Sequence, residues 1–244
     1  MPQPEGVTLI TCTGGRPEAF GLCERWVRTQ TWKGPLQWIV VDDVNPATTV
    51  FDPLSWQPPG WTITWIRPEP FWQPGQHTLA RNLLAAIPEV IHDKVLFFED
   101  DDHQAPAYIE TMARHLESYA IVGEAPARYY HVPQRRYWTL DNYRHASLCQ
   151  TGMRSELLPM LADVCRKGQD FIDVRMWRTL DGSRKVHFIR ENHLVVGMKG
   201  LPGRPGIGIG HRPEYGGAWK SDPDMKVLRS WIGEDAAAYE EFKC

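Results

Sequence analysis

The sequence predicts an α/β domain whose sheet is mainly parallel. Short apolar, β-branched segments alternate with segments of helical periodicity over about the first 120 residues. Polar residues directly follow the apolar segments, and in sheets of this kind ligands bind at the carboxyl ends of the strands. The chain of 244 residues has 42% hydrophobic and 23% charged residues, so it is long enough to bury a core, and wholesale disorder is excluded.

The first half carries the regular pattern. Strands are predicted at residues 7–13, 36–41 and 94–98, which are apolar runs, and at residues 61–66, which alternate between apolar and polar side chains. Helices are predicted at residues 19–30, 77–87 and 106–118. Pro17 lies where the first helix is expected to begin, and Gly14-Gly15 predicts a tight loop before it.

The second half is less regular. Short strands with loops are predicted at residues 119–143, helices at 155–166 and 170–180, strands at 186–189 and 193–196, and an acidic helix at 225–242. Neither an internal repeat nor a clean linker is evident. We therefore expect one domain over residues 1–244, divided into a first part (1–105) and a second part (106–244).

Charge and cysteine content narrow the class of protein. The net charge of −3 argues against a protein that coats nucleic acid through bulk electrostatics. The five cysteines include no CxxC pair, which favours reduced thiols over a zinc ribbon. No apolar run approaches the ~20 residues of a membrane span, and the N-terminus lacks signal-peptide features, so we expect a cytoplasmic protein.

An acidic triplet is the sharpest chemical signal. Asp100, Asp101 and Asp102 follow the apolar run VLFFE, and adjacent carboxylates repel one another unless something neutralises them. A hard divalent cation, Mg²⁺ or Mn²⁺, does so. The sequence favours a metal held by Asp100 and Asp102. The alternatives are a Glu99-x-Asp101 pair and a solvated acidic turn that caps the next helix.

Four motifs, in order, resemble those of GT-A-fold glycosyltransferases, closest to the family 2 type and to its compact, phage-type members. Residues 9–17 (LITCTGGRP) resemble the first strand with its Thr-x-Thr-x-x-Arg-Pro turn, and residues 38–43 (WIVVDD) resemble the second strand. Residues 80–87 (ARNLLAAI) resemble the Ala-Arg-Asn helix, and residues 95–102 (VLFFEDDD) resemble the strand with the DxD motif. Together they cover about the first 105 residues. Gly14-Gly15 departs from the usual Tyr-Asn, so the ring expected to stack on the nucleobase is missing.

This resemblance implies a nucleotide-sugar donor, with UDP as the expected nucleotide. Thr11 and Asp43 match the residues that hold the nucleoside, and Arg16 is expected near the phosphates. The donor-binding residues implied in all are Thr11, Thr13, Arg16, Asp42, Asp43, Arg81, Asp100, Asp101, Lys199 and Arg204. Milder roles stay open: Thr11 could satisfy only the backbone, Arg16 could pair with Glu18, and Arg81 and Asn82 could cap the helix instead of lining the donor site.

A general base is expected in the second half if the transfer inverts the sugar. It must take the proton of the acceptor hydroxyl as the sugar transfers. In the resembling family this Asp opens a helix, and Asp170 and Asp173 both match that place. The alternative is that Asp170 caps the helix and Asp173 interacts with its dipole. Retention stays open as well.

The glycine-rich segment 197–217 is predicted to be a mobile lid. Glycines give mobility, and Lys199, Arg204 and Arg212 offer positive charge to a nucleoside diphosphate. His211 is expected to be the third metal ligand, beside Asp100 and Asp102, as a His after such a loop is in several GT-A enzymes.

Interleaved Arg and aromatic residues at 128–145 predict an acceptor-binding surface, with Arg135, Arg136, Tyr137 and Trp138 at its centre. We expect a metal-dependent transfer of sugar to a hydroxyl. The acceptor could be a hydroxymethylated pyrimidine in DNA, and otherwise a saccharide, a lipid-linked glycan or a protein. Two other functions stay open, a nucleotidyltransferase and a non-catalytic module that binds sugar or nucleic acid.

Overall fold

The computed structural model describes residues 6–45, 58–168, 170–180, 185–190, 193–206, 208–211 and 218–242. Most of the proline-rich stretch that precedes the third strand lies outside the described residues. So do Arg212 and the rest of 212–217, which belong to the predicted lid.

The strands are β1 Val7–Thr13, β2 Leu36–Asp42, β3 Trp61–Ile66, β4 Lys94–Phe97, β5 His103–Gln104, β6 Ile121–Glu124, β7 Pro126–His131, β8 Arg136–Asp141, β9 Thr151–Arg154, β10 Val186–Ile189, β11 Val195–Lys199 and β12 Lys220–Ser221. The α-helices are α1 Pro17–Arg28, α2 Leu79–Ala86, α3 Tyr108–Leu116, α4 Leu158–Arg166, α5 Ile172–Thr179 and α6 Lys226–Ile232.

The central sheet has seven strands in the order β10-β6-β9-β4-β1-β2-β3. Strands β4, β1, β2 and β3 run parallel, and so do β10 and β6. The mainly parallel sheet predicted from the sequence is therefore confirmed. Only β9 runs antiparallel to its neighbours in this sheet, within the described residues. A smaller sheet follows the order β12-β8-β7-β11-β5.

Helices cover both faces of the central sheet because its strands are apolar on both sides. All of β2 is buried, and its side chains alternate between two cores. Trp38 and Val40 pack with α1 and α3 on one face. Ile39 and Val41 pack with α2, α4 and α5 on the other. Because the strands pack against helices on both faces, the ends of β1, β2 and β4 are held in place. The polar residues that follow these strands are held with them.

Several details differ from the sequence predictions, and the short strands β5 and β12 were not predicted. Strand β9 was not predicted, although it lies between β4 and β6. The strand predicted at 193–196 spans Val195–Lys199 instead, because Gly197, Met198 and Lys199 pair with β7. The predicted lid over 197–217 is therefore wrong for its first three residues, which belong to this strand. The tail is not one helix: α6 ends at Ile232, Gly233 adopts a φ of 59°, and a 3₁₀ helix continues to Tyr239.

Cysteines 12, 23, 149 and 165 are free thiols. Among the described residues, no helix has both the length and the apolar character that a membrane crossing requires.

Candidate active site

The predicted polar clusters meet at the carboxyl ends of β1, β2 and β4. Parallel pairing places Thr13 opposite Asp42, and it places Ile10 opposite Phe97, so the acidic triplet begins level with the end of β1. The Thr13 hydroxyl then donates to Asp100 Oδ2 at 2.8 Å. Residues far apart in the sequence thus share one polar edge of the sheet.

Arg16 neutralises part of the acidic triplet. Its Nη1 lies 2.8 Å from Asp100 Oδ1, and its Nη2 lies 2.8 Å from Asp101 Oδ2. Burial raises the pKa of Asp100 to about 6, against the opposing charge of Arg16. Burial acts in the same way on Asp101, but Arg16 and Lys199 together bring the pKa of Asp101 below its ordinary value. Asp101 is therefore the carboxylate of this pair that stays ionised most firmly.

Asp102 faces away from Arg16, toward β11. Its Oδ1 accepts hydrogen bonds from the Met198 amide and from Lys199 Nζ, both at 2.9 Å. Its Oδ2 is buried without a hydrogen-bond partner among the described residues, near Glu99 and the thiol of Cys149. Burial, reinforced by the charge of Asp102, raises the pKa of Glu99 to about 8. Through its hydrogen bond to Asp102, Lys199 binds the acidic triplet itself.

His211 approaches the triplet from the glycine-rich segment. Its Nε2 lies 3.6 Å from Asp101 Oδ2. Burial, together with the charge of Lys199, lowers the pKa of His211 to about 3, so the imidazole is neutral and offers a lone pair. A Cβ atom on Gly206 would lie 2.1 Å from His211 Nε2, so the backbone here packs directly against the ring.

Asp43 is fully buried and surrounded by donors. Arg204 Nη1 donates to Oδ1 at 2.9 Å and to Oδ2 at 3.1 Å. Oδ2 also accepts from Asn82 at 2.8 Å, from Arg81 at 3.2 Å and from the Thr78 hydroxyl. The structure therefore brings Arg204 to Asp43, whereas the sequence analysis placed Arg204 beside a diphosphate.

Gly14 has a spatial reason to be glycine. A Cβ atom there would lie 2.1 Å from Asp43 Oδ1. The departure from the Tyr-Asn turn of the resembling family therefore matches a carboxylate that approaches the loop closely.

Two of the residues predicted to bind the sugar donor make hydrogen bonds within the chain. Thr11 is fully buried, and its hydroxyl accepts from Trp38 Nε1 at 2.9 Å. Asp42 accepts from the Val44 amide at 3.2 Å. Their contacts with a nucleotide stay predictions.

The two candidate bases occupy different environments. Asp170 is exposed, and its Oδ1 lies 2.7 Å from His77 Nδ1. Asp173 lies in the first turn of α5, where burial raises its pKa. Phe171, between them, is 59% exposed and begins α5 with a φ of 51°. An open cleft of about 540 Å³ borders this segment and is lined by Gly168, Asp170, Phe171, Val174, Arg175 and Arg178.

The predicted acceptor residues border β12 and the C-terminal tail. Arg135 donates to the carbonyl oxygens of Tyr239 and Glu240 at 3.1 and 2.9 Å, and Arg136 donates to that of Trp219 at 3.4 Å. Two rings of the set also pack within the chain: Tyr137 contacts Trp231 edge-on, and Trp138 contacts Tyr129 and Trp219. Their contact with an acceptor stays a prediction.

Three residues near Asp43 were not predicted. Trp72, His77 and Thr78 lie between β3 and α2. The Trp72 amide donates to the Asp43 carbonyl at 2.7 Å, and the Arg204 guanidinium lies 4.7 Å from the centre of the Trp72 ring. Their only signal in the sequence was their place just before the Ala-Arg-Asn helix.

The architecture is a Rossmann-like glycosyltransferase fold with a mainly parallel central sheet. Solved structures of S. aureus TarS share it. The 1–349 form has a TM-score of 0.58 at 10% identity, over 79% of this chain and 60% of that chain. Its complex with UDP has a TM-score of 0.56 at 13% identity over the same shares, and the complex with UDP-GlcNAc has 0.53 at 10% over 82% and 60%.

These similarities have limits. This chain spans less than two thirds of the TarS chains it matches, and 36% of the longer one. At such identities the similarity shows the fold alone. No family model and no curated protein sequence matches the chain.

Proposed function

We propose that this protein transfers a sugar from a UDP-sugar to an acceptor hydroxyl. One observation carries the proposal: a buried carboxylate, Asp43, and a buried acidic triplet, residues 100–102, lie at the same edge of a parallel sheet, where Arg204 binds the first and Lys199 binds the second. The TarS structures with UDP and UDP-GlcNAc support the proposal, because they share this fold.

Asp43 is proposed to bind the uracil base. Its Oδ2 is held by Thr78, Asn82 and Arg81, which leaves Oδ1 as the oxygen for one further donor once Arg204 withdraws. The imide N–H of uracil is such a donor. The corresponding ring nitrogens of cytosine and adenine carry no proton and would face the carboxylate with a lone pair. The site therefore favours uridine nucleotides over cytidine and adenosine nucleotides.

A divalent cation fits Asp101 and His211 better than the pair Asp100 and Asp102 expected from the sequence. Both oxygens of Asp100 are bound, by Thr13 and Arg16, whereas Asp102 has Oδ1 bound by Lys199 and Oδ2 buried near Glu99 and Cys149. Asp101 Oδ2 lies 3.6 Å from the neutral His211 imidazole, and these are ligand types that Mn²⁺ accepts. The cation would take the place of Arg16 Nη2, which lies 2.8 Å from the same oxygen. When bound, the cation would neutralise the charge of the diphosphate as it leaves. Arg16 and Lys199 already offset two of the three carboxylate charges, so the need for a metal is smaller than the bare sequence suggests.

Asp170 is proposed as the catalytic carboxylate of an inverting transfer. It is exposed, so it can meet an acceptor, and its contact with His77 fixes the direction of the carboxylate. Asp173 is shielded and lies in the first turn of a helix, where a carboxylate stabilises the helix dipole.

The experiment is a turnover assay with UDP-sugars and GDP-sugars, with Mn²⁺, Mg²⁺ or EDTA, and with hydroxymethylcytosine DNA and glycans as acceptors. The proposal predicts metal-stimulated release of UDP, which D101N abolishes and the surface control R166A retains. Release of pyrophosphate from nucleoside triphosphates would favour a nucleotidyltransferase instead. Donor binding without turnover would favour a non-catalytic module.

A further inference from the structure

We propose that Trp72 is the stacking surface for the nucleobase, and that Arg204 occupies the nucleobase slot until the base displaces it. The inference rests on the proposed function, because it concerns how nucleobase binding is controlled at the same site. It makes Arg204 an internal competitor of the donor rather than a phosphate ligand.

The Arg204 guanidinium lies between Trp72, Asp43 and Thr78, and we call the space that it fills the nucleobase slot. Its guanidinium lies 4.7 Å from the centre of the Trp72 ring. The edge of the group donates to Asp43 Oδ1 at 2.9 Å, and Nη2 donates to the Thr78 hydroxyl at 2.6 Å. An aromatic surface below and a carboxylate at the edge are what recognition of a uracil ring requires.

Trp72 also compensates for the loop residue that is missing. The Gly14-Gly15 turn carries no ring to stack on a base, and Asp43 leaves no room for a side chain at Gly14. The Trp72 amide is tied to the Asp43 carbonyl at 2.7 Å. The ring and the carboxylate are therefore held together by the backbone, so a base that reaches one also reaches the other.

Residues 200–206 hold Arg204 in place. A Cβ atom on Gly203, which has a φ of 95°, would lie 2.5 Å from the Gly15 carbonyl oxygen and 3.1 Å from Arg16 Cα. The Arg204 amide donates to the same carbonyl at 3.3 Å. Displacement of the Arg204 side chain removes its ion pair with Asp43.

Displacement of Arg204 would link nucleobase binding to Lys199 and His211, which lie beside the acidic triplet. Residues 200–206 lie between Lys199, which binds Asp102, and His211, which lies beside Asp101. A base that displaces Arg204 loosens the segment between these two residues. Donor binding thereby gives Lys199 and His211 freedom to rearrange around the diphosphate.

Two measurements test the inference, using the full chain. The first is the Kd of uridine, which lacks phosphate, for wild type, R204A, R204K, W72L and the control R166A. If Arg204 fills the slot about nine-tenths of the time, R204A tightens uridine binding about tenfold. W72L weakens it about tenfold or more, because stacking on an aromatic ring is lost. R166A leaves it unchanged.

The second measurement is proteinase K cleavage within residues 199–211 without nucleotide. We expect R204A to be cut several-fold faster than wild type and R204K to fall between them. Unchanged or weaker uridine binding by R204A would overturn the role of Arg204 as an internal competitor. Unchanged uridine binding by W72L would overturn the role of Trp72 as the stacking surface. Tighter binding of guanosine than of uridine would overturn the uracil assignment.

These outcomes separate the inference from the proposed function. If no variant binds any nucleoside but R204A is still cut faster, the nucleotide function fails while the anchoring role of Arg204 stands. If uridine binds as expected but no UDP-sugar turns over, the slot stands and the transferase activity fails.

Discussion

His77 and Asp170, 93 residues apart, are joined by a contact of 2.7 Å between His77 Nδ1 and Asp170 Oδ1. If Nδ1 carries the proton, it donates a hydrogen bond to the carboxylate, and Nε2 keeps its lone pair. Because His77 directly precedes Thr78, which binds Asp43, this contact links the start of α5 to the nucleobase slot.

The first prediction concerns the general base. D170N should lower the rate of transfer by ~10²–10⁴, the usual value of general-base assistance, while the Kd of UDP changes little. D173N should act mainly on stability, with a loss of about 1 kcal/mol or less in the free energy of unfolding. Single-turnover rates and nucleotide titrations separate the two effects. A larger rate loss in D173N than in D170N would assign the base to Asp173.

The second prediction concerns nucleotide choice. D43N keeps the shape of the side chain but loses the charged acceptor, which is worth about 1.5–3 kcal/mol in a hydrogen bond, so the Kd of UDP should rise at least about tenfold. The preference for UDP over CDP should shrink in the same variant. D42N is the matched control, since Asp42 accepts from the Val44 amide and is expected to matter less. Equal effects of the two substitutions would count against Asp43 as the base-reading residue.

The third prediction concerns the metal. Titration of Mn²⁺ in the presence of UDP should show affinity losses of more than about tenfold for D101N and H211A, since even outer-shell partners of a metal are worth ~10–100-fold. D102N should lose less, because Lys199 and the Met198 amide hold Oδ1 of Asp102 and its Oδ2 is buried near Glu99 and Cys149. The reverse order would restore the pair Asp100 and Asp102 that the sequence favoured.

The fourth prediction concerns stability and pH. Burial raises the pKa of Glu124 from 4.5 to about 8, so between these values the folded state binds more protons than the unfolded state. The contribution of Glu124 to stability is therefore greatest below pH 4.5 and is lost as the pH rises to about 8, by at most a few kcal/mol. Urea unfolding of wild type and E124Q across this range measures it.

E124Q should flatten the decline in stability, and the exposed control E156Q should keep it. A residual slope is expected from Glu99, whose pKa burial also raises to about 8. An unchanged slope in E124Q would show that Glu124 does not titrate as the structure implies.

The sequence predicted the framework of the site because burial leaves a local pattern. Strands β1, β2 and β4 are apolar runs and β3 alternates, and the polar residues after β1, β2 and β4 meet because parallel strands end at one edge. Strand β9 was missed because it is too short and mixed in character to show a pattern. A Cβ atom at its Gly152 would lie 2.5 Å from a methyl group of Leu96, so close packing requires the glycine that hid the strand.

Side-chain partners across the site could not be predicted in the same way. Arg204 lies 161 residues after Asp43, and nothing in its spacing indicates which carboxylate it meets. Lys199 and Arg204 were both assigned to a diphosphate on charge alone, yet they bind Asp102 and Asp43. Trp72 lies in an irregular loop, where neither periodicity nor a motif distinguishes a stacking ring from an ordinary surface residue.

The most direct test of a donor site at the carboxyl ends of β1, β2 and β4 is a crystal structure of the protein with UDP and Mn²⁺. We expect the uracil imide within hydrogen-bond distance of Asp43 Oδ1, and the diphosphate beside Asp101 and His211. A nucleotide bound instead in the cleft beside Phe171 and Arg178, or a protein that takes up none at saturating UDP, would contradict the assignment.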